Sequence, residues 1–224
     1  MNTSIILAGG GSGGHLSPGL AIAERLQMLS PETPVRFLCS ERRIDRQMLE
    51  FAGARYSPIR CAPFSLRPAG VLRFARGLVG GSRQSLRLLR SDNAGVVLAL
   101  GGFVSAPVVR AARRCGIPSL LLNLDVVPGR ANHWVARRAE RVYSALPIDP
   151  GVNLPNLAGQ VDFPIRRAAV APADPATCRE RLGLSPEKPT LLVTGASQGA
   201  STLNRFMEYF ASSSPCLLYT SDAA

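Results

Sequence analysis

A run of glycines followed at once by a histidine is the first feature of this sequence that suggests chemistry. Gly9-Gly10-Gly11-Ser12-Gly13-Gly14-His15 comes after a short apolar run and before a segment with helical spacing. Backbone N–H groups without side chains, at the start of a helix, favour a phosphate or another oxyanion. His15 is the candidate acid or base at this turn, because an imidazole exchanges protons near neutral pH. A structural histidine that caps the helix start is the alternative, and position alone leaves both open.

The same turn also fits a dinucleotide-binding fingerprint. Gly9, Gly11 and Gly14 have the spacing G-x-G-x-x-G, and Glu41 lies near the end of the second predicted strand. One alternative function is therefore that of an NAD(P)-dependent oxidoreductase with a Rossmann fold. Against it, His15 follows the turn directly, and a further turn opens a second domain. A P-loop is excluded, because no Gly-Lys-Ser/Thr follows the glycines.

Two further turns of small residues follow predicted strands. The second turn is Gly101-Gly102-Phe103-Val104-Ser105-Ala106-Pro107, and the third is Gly195-Ala196-Ser197-Gln198-Gly199-Ala200. Ligands of open α/β sheets bind beyond the carboxyl ends of the strands, so the first two turns can face one cleft. Tight packing between strand and helix is the alternative at the second turn. In the third turn, Ser197 and Gln198 are polar groups that can reach a phosphate.

The elements that must position these turns alternate between strands and helices. Strands are predicted at Ser4–Ala8, Val35–Cys39, Arg55–Arg60, Gly95–Leu100, Ser119–Leu122, Arg141–Tyr143 and Leu157–Ala158. Helices are predicted at Leu16–Leu29, Ile44–Ala52, Val104–Cys115 and Ala131–Ala139. Gly77, Gly80 and Gly81 predict a broken helix within residues 70–90. This alternation predicts the α/β class, with a Rossmann-like, doubly wound parallel sheet covered on both faces.

A proline-rich break divides the chain near residues 164–190 and surrounds one predicted helix, Pro175–Leu182. A predicted strand at Thr190–Thr194 then leads into the third turn. We therefore predict an N-terminal domain over residues 1–163, and over residues 164–211 a linker with the first unit of a second Rossmann-like domain. Residues 212–224 show no helical or strand period and are predicted to be a non-native tail. We expect a C-terminally truncated chain.

Composition narrows the function classes. The chain has 26 Lys and Arg residues against 15 Asp and Glu, a formal net charge of +11 that suits anionic partners. Hydrophobic residues make up 46%, which argues against disorder, and no apolar run is long enough to span a membrane. Aromatic residues are only 6% and do not interleave with the arginines, which argues against nucleic acid. Five scattered cysteines favour reduced cytosolic thiols over a zinc site.

Residues 61–91 hold six arginines and no acid. Apolar residues flanked by cations suit an interfacial surface on anionic lipid. The predicted membrane patch consists of Val71, Leu72, Arg73, Phe74, Arg76, Leu78 and Val79. A core helix with a solvated arginine face is the structural alternative. A non-catalytic membrane-binding module is the corresponding alternative function.

Together the motifs resemble the MurG family, the N-acetylglucosaminyltransferases of peptidoglycan synthesis. The first turn with Pro18-Gly19-Leu20-Ala21, the second turn, and the third turn with Leu203-Asn204 come in that family's order and spacing, over roughly residues 3–211. The resemblance implies a GT-B arrangement, in which two Rossmann-like domains face a cleft. The N-terminal domain would receive the lipid-linked acceptor and the C-terminal domain most of the UDP-sugar.

The resemblance also implies a reaction and a set of site residues. GlcNAc would move with inversion from UDP-GlcNAc to the MurNAc C4 hydroxyl of undecaprenyl-linked lipid I, giving lipid II, with no metal and no cofactor. His15 matches the position of the proposed base. The matching binding positions are Ser12, Gly13, Gly14, Arg166 and Ser197 for the donor and its diphosphate, and Gly101, Gly102 and Ser105 for the acceptor-side turn. The implied location is peripheral, on the cytoplasmic face of the plasma membrane.

Two segments depart from the family pattern. Leu122-Asn123-Leu124-Asp125 stands where the family commonly has His-Glu-Gln-Asn, so Asp125 replaces a donor-contacting amide. We expect Asp125 to meet a sugar hydroxyl or an arginine, because a carboxylate repels a diphosphate. Asp162-Phe163 replaces a Gly-Asn pair. Because the uracil and GlcNAc contacts of the family lie beyond this chain, we predict that the 224 residues alone have no transferase activity.

Overall fold

The computed structural model describes residues 3–11, 13–195 and 200–213. The chain divides into two compact units between Val170 and Ala171. Ser12 and Ser197, both predicted to contact the donor, lie outside the described residues. No helix among the described residues is both long and apolar enough to cross a membrane.

An open parallel sheet forms the centre of the first unit. Its strands β1 to β7 are Ser4–Ala8, Val35–Cys39, Tyr56–Pro58, Ala94–Ala99, Ser119–Asn123, Arg141–Ser144 and Leu157–Gln160. Their order across the sheet is β3-β2-β1-β4-β5-β6-β7, and each neighbouring pair is parallel. The apolar runs of β1, β2 and β5 are largely buried because helices cover the sheet on both faces, whereas the edge strand β7 is mostly exposed. The predicted doubly wound α/β fold is confirmed.

Helices pack on the two faces of this sheet around separate cores. Helices α1 (Gly13–Leu29) and α2 (Arg43–Phe51) belong to one core, and α3 (Pro68–Ser91), α4 (Ser105–Arg114) and α5 (Arg130–Ala136) belong to the other. Successive side chains of a strand point to opposite faces. In β1, Ile6 accordingly packs in the core under α3 to α5, whereas Leu7 packs in the core under α1 and α2.

Helix α3 is continuous, so the predicted break within residues 70–90 is wrong. Two of its glycines permit close packing instead of ending the helix. A Cβ on Gly77 would stand 3.0 Å from the backbone nitrogen of Ala62, and one on Gly81 would stand 2.4 Å from the carbonyl oxygen of Arg60. The helix therefore lies against the chain that leaves β3, at a distance that larger side chains would prevent.

The second unit is described by its helices α6 (Pro175–Arg181) and α7 (Ser201–Ser213). Asp174 caps α6 by accepting a hydrogen bond from the Thr177 N–H at 3.1 Å. The strand predicted at Thr190–Thr194 is wrong, because these residues are exposed and irregular. A strand needs partners for its backbone, and the described part of this unit offers none. Ser212 and Ser213, the first two residues of the predicted non-native tail, continue α7. Residues 214–224 lie outside the described residues, and the non-native origin of the tail stays a prediction.

Candidate active site at the carboxyl edge of the sheet

The two glycine turns meet where the strand order reverses. The first turn follows β1 and the second follows β4, which is the neighbour of β1 in the sheet. From β1 the chain continues outward to β2 and β3 on one side, and from β4 it continues outward to β5, β6 and β7 on the other side. Open α/β sheets bind ligands at this switch point, outside the carboxyl ends of the strands. A Cβ on Gly102, whose φ is +75°, would stand 2.7 Å from the carbonyl oxygen of Gly10. Only glycine fits both this conformation and this contact.

A buried carboxylate on α2 anchors the first turn. The N–H of Gly11 donates to Asp45 at 2.8 Å to Oδ2 and 3.1 Å to Oδ1. Ser40 donates to the same Oδ2 from its backbone N–H at 3.1 Å and from its hydroxyl at 2.5 Å. Asp45 is fully buried, so these donors replace the water that a carboxylate otherwise needs. Sequence reasoning missed Asp45, whose only signal is an acid on the apolar side of a helix.

Arg42 and Phe103 connect the first turn to the second. Arg42 Nη1 donates to the carbonyl oxygen of Gly11 at 2.6 Å, and its guanidinium carbon lies 5.3 Å from the centre of the Phe103 ring. A Cβ on Gly11 would stand 2.5 Å from Phe103 Cε1, so the ring packs on bare backbone. An exposed cation therefore stands at the mouth of the glycine turns, where it favours an anionic ligand.

His15 lies in the first turn of α1, half-buried against the second glycine turn. A Cβ on Gly101 would stand 2.7 Å from Cδ2 and 3.0 Å from Nε2 of its ring. Burial lowers the pKa of His15 from the reference value of 6.5, and the charges of Asp125 and Asp45 oppose that shift. This direction favours the neutral imidazole, which is the form that accepts a proton.

An amide network positions Asp125 near His15. Asn123 Nδ2 donates to the Asp125 carbonyl oxygen at 2.6 Å and to Ser144 Oγ at 3.0 Å. Its Oδ1 consequently faces Asn132, whose Nδ2 donates to it at 3.1 Å and to Asp125 Oδ2 at 3.2 Å. Within the described residues, Asp125 thus meets an amide group and not the arginine that was one expected partner.

The orientation of the Asn132 amide follows from this network. Both of its neighbours on the Nδ2 side are acceptors, so its Oδ1 must point the other way. This oxygen stands 2.9 Å from the point where a Cβ on Gly101 would lie, and the His15 ring borders the same point. Asn132 is only 2% exposed, and its Oδ1 has no hydrogen-bond partner among the described residues. A buried acceptor thus faces the site, and sequence reasoning missed it.

The other predicted site residues lie in varied surroundings. Gly13 and Gly14 form the start of α1 beside His15. Ser105 is fully buried, and its hydroxyl contacts the backbone of Gly101 and Ala8, so it supports the second turn from inside. Among residues 3–11, 13–195 and 200–213, no three His, Cys, Asp or Glu side chains are grouped as a metal site.

Arg166 contacts α1 near the end of the first unit. Its Nε donates to Glu24 Oε1 at 2.9 Å, and the Arg167 N–H donates to Glu24 Oε2 at 3.2 Å. The hydrogen bond from Arg166 lowers the pKa of Glu24. Arg166 is therefore held by an ion pair in this structure, and its contact with a donor remains a prediction.

The predicted membrane patch lies on the first half of α3. Val71, Leu72 and Val79 are exposed, with Leu72 52% accessible, whereas Phe74 and Leu78 are partly buried. Arg73 and Arg76 are also exposed on this helix. The Phe74 ring meets Phe64 edge-on at a centroid distance of 5.4 Å, which extends the apolar surface beyond the helix.

The fold and its edge site define the N-terminal domain of a GT-B glycosyltransferase. The glycosyltransferase family 28 N-terminal domain matches residues 5–144. The chain therefore belongs to glycosyltransferase family 28. This membership does not favour the NAD(P)-dependent alternative, and the first-turn N–H of Gly11 is already used by Asp45.

Curated relatives share one printed name, UDP-N-acetylglucosamine--N-acetylmuramyl-(pentapeptide) pyrophosphoryl-undecaprenol N-acetylglucosamine transferase. The relative from Clavibacter michiganensis is 36% identical over 208 residues, which are 91% of this chain and 56% of the relative. The relative from a Nocardioides species is 38% identical over 205 residues, 90% of this chain and 55% of its own length. The chain thus spans about half the length of these relatives.

Solved structures support the fold alone. The MurG of Acinetobacter baumannii superposes with a TM-score of 0.59 at 23% identity, covering 74% of this chain and 47% of that one. A UDP-N-acetylglucosamine 2-epimerase from Listeria monocytogenes gives a TM-score of 0.50 at 13% identity, and the match covers 65% of this chain and 39% of the epimerase chain.

Proposed function

We propose that this chain supplies the acceptor-side domain of an inverting N-acetylglucosaminyltransferase. The reaction transfers GlcNAc from UDP-GlcNAc to the C4 hydroxyl of MurNAc in undecaprenyl-linked lipid I, which gives lipid II. The observation that supports it is the position of His15 at the junction of the two glycine turns, where burial lowers its pKa and favours the neutral imidazole. The names of the family 28 relatives supply the donor and the acceptor.

In this proposal His15 acts as the general base. The acceptor hydroxyl loses its proton to the imidazole while its oxygen bonds to the anomeric carbon and UDP departs from the opposite side. Asp125 and Asp45 favour the imidazolium that forms, because their negative charges raise the pKa of His15 against the effect of burial. Gly13 and Gly14, with Ser12, would contact phosphates through backbone N–H groups. The acceptor-side turn, in which the Gly101 N–H donates to Ser105, would face the acceptor.

Arg166 and Ser197 are the proposed donor contacts outside the glycine turns. A guanidinium binds a diphosphate well, because its planar N–H groups make paired hydrogen bonds. Arg166 Nε already donates to Glu24. Arg166 must therefore either break this ion pair to bind the diphosphate or bind it through its other guanidinium N–H groups. Ser197 is proposed from the resemblance alone.

The acceptor carries a lipid, so the proposal includes a membrane surface. We assign it to the exposed apolar residues of α3 together with Arg73 and Arg76. Such a surface would place the enzyme peripherally on the cytoplasmic face of the plasma membrane, through apolar insertion and attraction to anionic lipid.

The catalytic proposal is tested with a fusion of residues 3–170 to the C-terminal half of the Clavibacter michiganensis relative. We expect transfer of labelled GlcNAc to a lipid I analogue by the fusion and none by the 224-residue chain. His15→Gln should reduce turnover about 100-fold or more, the usual contribution of a general base. His133→Gln is the matched control, since it removes the other histidine. Full activity of the His15→Gln fusion would exclude His15 as the base.

The membrane proposal is tested by sedimentation with phosphatidylglycerol-containing vesicles. Leu72→Asp should weaken binding, because it places a charge in the apolar surface of α3. Phe51→Asp is the matched control, since Phe51 is 91% exposed but lies on α2. Binding should also fall as salt rises. Equal binding by both variants would remove the assignment to α3.

A further inference from the structure

A cavity lined by four arginines and a tryptophan lies at the opposite edge of the sheet from the glycine turns. Its volume is about 470 Å³, and its lining consists of Arg110, Arg113, Arg114, Trp134 and Arg138. Helix α4 runs back from the end of β4 towards the start of β5, so its last turn reaches the edge where the strands begin. The cavity is therefore separate from the candidate active site.

The positive charge in this cavity has no counter-ion among residues 3–11, 13–195 and 200–213. None of the five lining residues is acidic, and none of the four arginines forms an ion pair within the described residues. The pKa of Arg138 is lowered, first by burial and then by the charges of Arg113 and Arg137. Crowded like charges destabilise one another, and a bound anion would relieve that repulsion.

Trp134 holds one of the guanidinium groups in place. The guanidinium carbon of Arg138 lies 3.8 Å from the centre of the indole, and its Nη1 donates to the Trp134 carbonyl oxygen at 3.0 Å. Stacking and this hydrogen bond fix the plane of the group, which reduces the entropy lost when it binds a ligand. The remaining N–H groups of Arg138 are available for paired hydrogen bonds to an oxyanion.

The α4 arginines are not explained by helix stability alone. Arg113 and Arg114 occupy the last turn of α4, where cations interact favourably with the helix dipole. Arg110 lies one turn earlier, on the same helix face as both, and Arg138 belongs to the chain after α5. Dipole compensation therefore accounts for two of the four charges, and all four point to one cavity.

We infer that this cavity binds a phosphate-bearing anion. Several guanidinium groups around one space are the arrangement that recognises phosphate oxygens, and the volume is within the range of small-ligand sites. The phosphate can belong to a soluble diphosphate or to the headgroup of a phospholipid, because the recognised oxygens are the same. This inference is independent of the proposed transferase function.

The test uses the full chain and its single tryptophan, Trp134. Inorganic pyrophosphate should change the Trp134 emission saturably and bind in calorimetry. Arg138→Gln and Arg113→Gln should each weaken binding about tenfold, a loss of about 1.4 kcal/mol. Arg43→Gln is the matched control, because it removes one exposed positive charge from α2 on the opposite sheet face. Calorimetry is needed for Arg138→Gln, since this variant changes the surroundings of the indole itself.

A second arm separates the two sources of phosphate. Phosphatidylcholine vesicles are compared with and without phosphatidic acid, again with the Arg113, Arg138 and Arg43 variants. Saturable binding of pyrophosphate that depends on Arg113 and Arg138 supports a soluble ligand. Vesicle binding that depends on the same two arginines, without pyrophosphate binding, supports a lipid headgroup. The inference is overturned if neither probe binds, or if Arg113→Gln, Arg138→Gln and Arg43→Gln bind alike.

Discussion

His15 packs against the bare backbone of Gly101, so that a single Cβ at Gly101 would stand 2.7 Å from Cδ2 of the imidazole. The φ of Gly101 is +99°, a conformation that residues with side chains rarely adopt. The position of the proposed base therefore depends on the absence of a side chain in the second turn. Because Gly101 has no side chain, His15 from the turn after β1 can pack directly on the turn after β4, and the two turns form one site.

Gly101→Ala should consequently displace His15 as well as destabilise the fold. We expect a lower free energy of unfolding by about 1–3 kcal/mol and a shift of the His15 imidazole signals in NMR spectra. Gly53→Ala is the matched control, because Gly53 also has a positive φ, +63°, but no atom within 4 Å of the added Cβ. That control should lose stability from backbone strain only. Unchanged His15 signals in Gly101→Ala would contradict the packing described.

The lowered pKa of His15 makes stability depend on pH. The unfolded chain binds the His15 proton near its reference value of 6.5, whereas the folded chain binds it only at lower pH. Below pH 6.5 the unfolded state therefore carries more protons, and stability falls as pH falls, by at most about 1.4 kcal/mol per pH unit for one group. Above pH 6.5 this effect disappears.

Urea unfolding of the chain and of His15→Gln at about pH 7.5 and about pH 5.5 measures this effect. The difference in free energy of unfolding between the two proteins should shift in favour of His15→Gln at the lower pH, because glutamine does not titrate. His133 is present in both proteins, so it does not contribute to this difference. A difference that does not change with pH would show that burial does not perturb His15.

Apolar runs and their alternation with helical segments were sufficient to predict the parallel sheet, since each strand is recognisable from its own residues. The continuity of α3 could not be predicted from the sequence, because Gly77 and Gly81 permit close contacts with Arg60 and the residues after it, which only the fold brings near. Asp45 was missed for a related reason, since its partner Gly11 lies 34 residues earlier in the chain. Local sequence patterns predict strands, helices and turns. Residues that hold a turn in place from a distant part of the chain can be identified only from the folded structure.

Asp125 should raise the pKa of His15, because its charge is the largest influence that opposes burial. Asp125→Asn therefore should lower the pKa of His15 further. An NMR titration can follow both histidines of the chain, and His133→Gln assigns their signals. Asp149→Asn is the matched control, as an exposed acid in a loop of the same unit. A pKa of His15 that does not fall in Asp125→Asn would remove Asp125 from the site.

Cys39 and Cys61 should resist alkylation in the folded protein, because burial raises the pKa of each thiol to about 12. At pH 8 about one thiol in ten thousand is then ionised, against about one in ten for an unperturbed thiol, and only the thiolate reacts. Iodoacetamide labelling followed by peptide mass spectrometry should show both cysteines modified about a thousand times more slowly than in urea-unfolded protein. Equal rates in the two states would mean that the chain near β2 and β3 opens readily, and that the turn held by Asp45 is not fixed in solution.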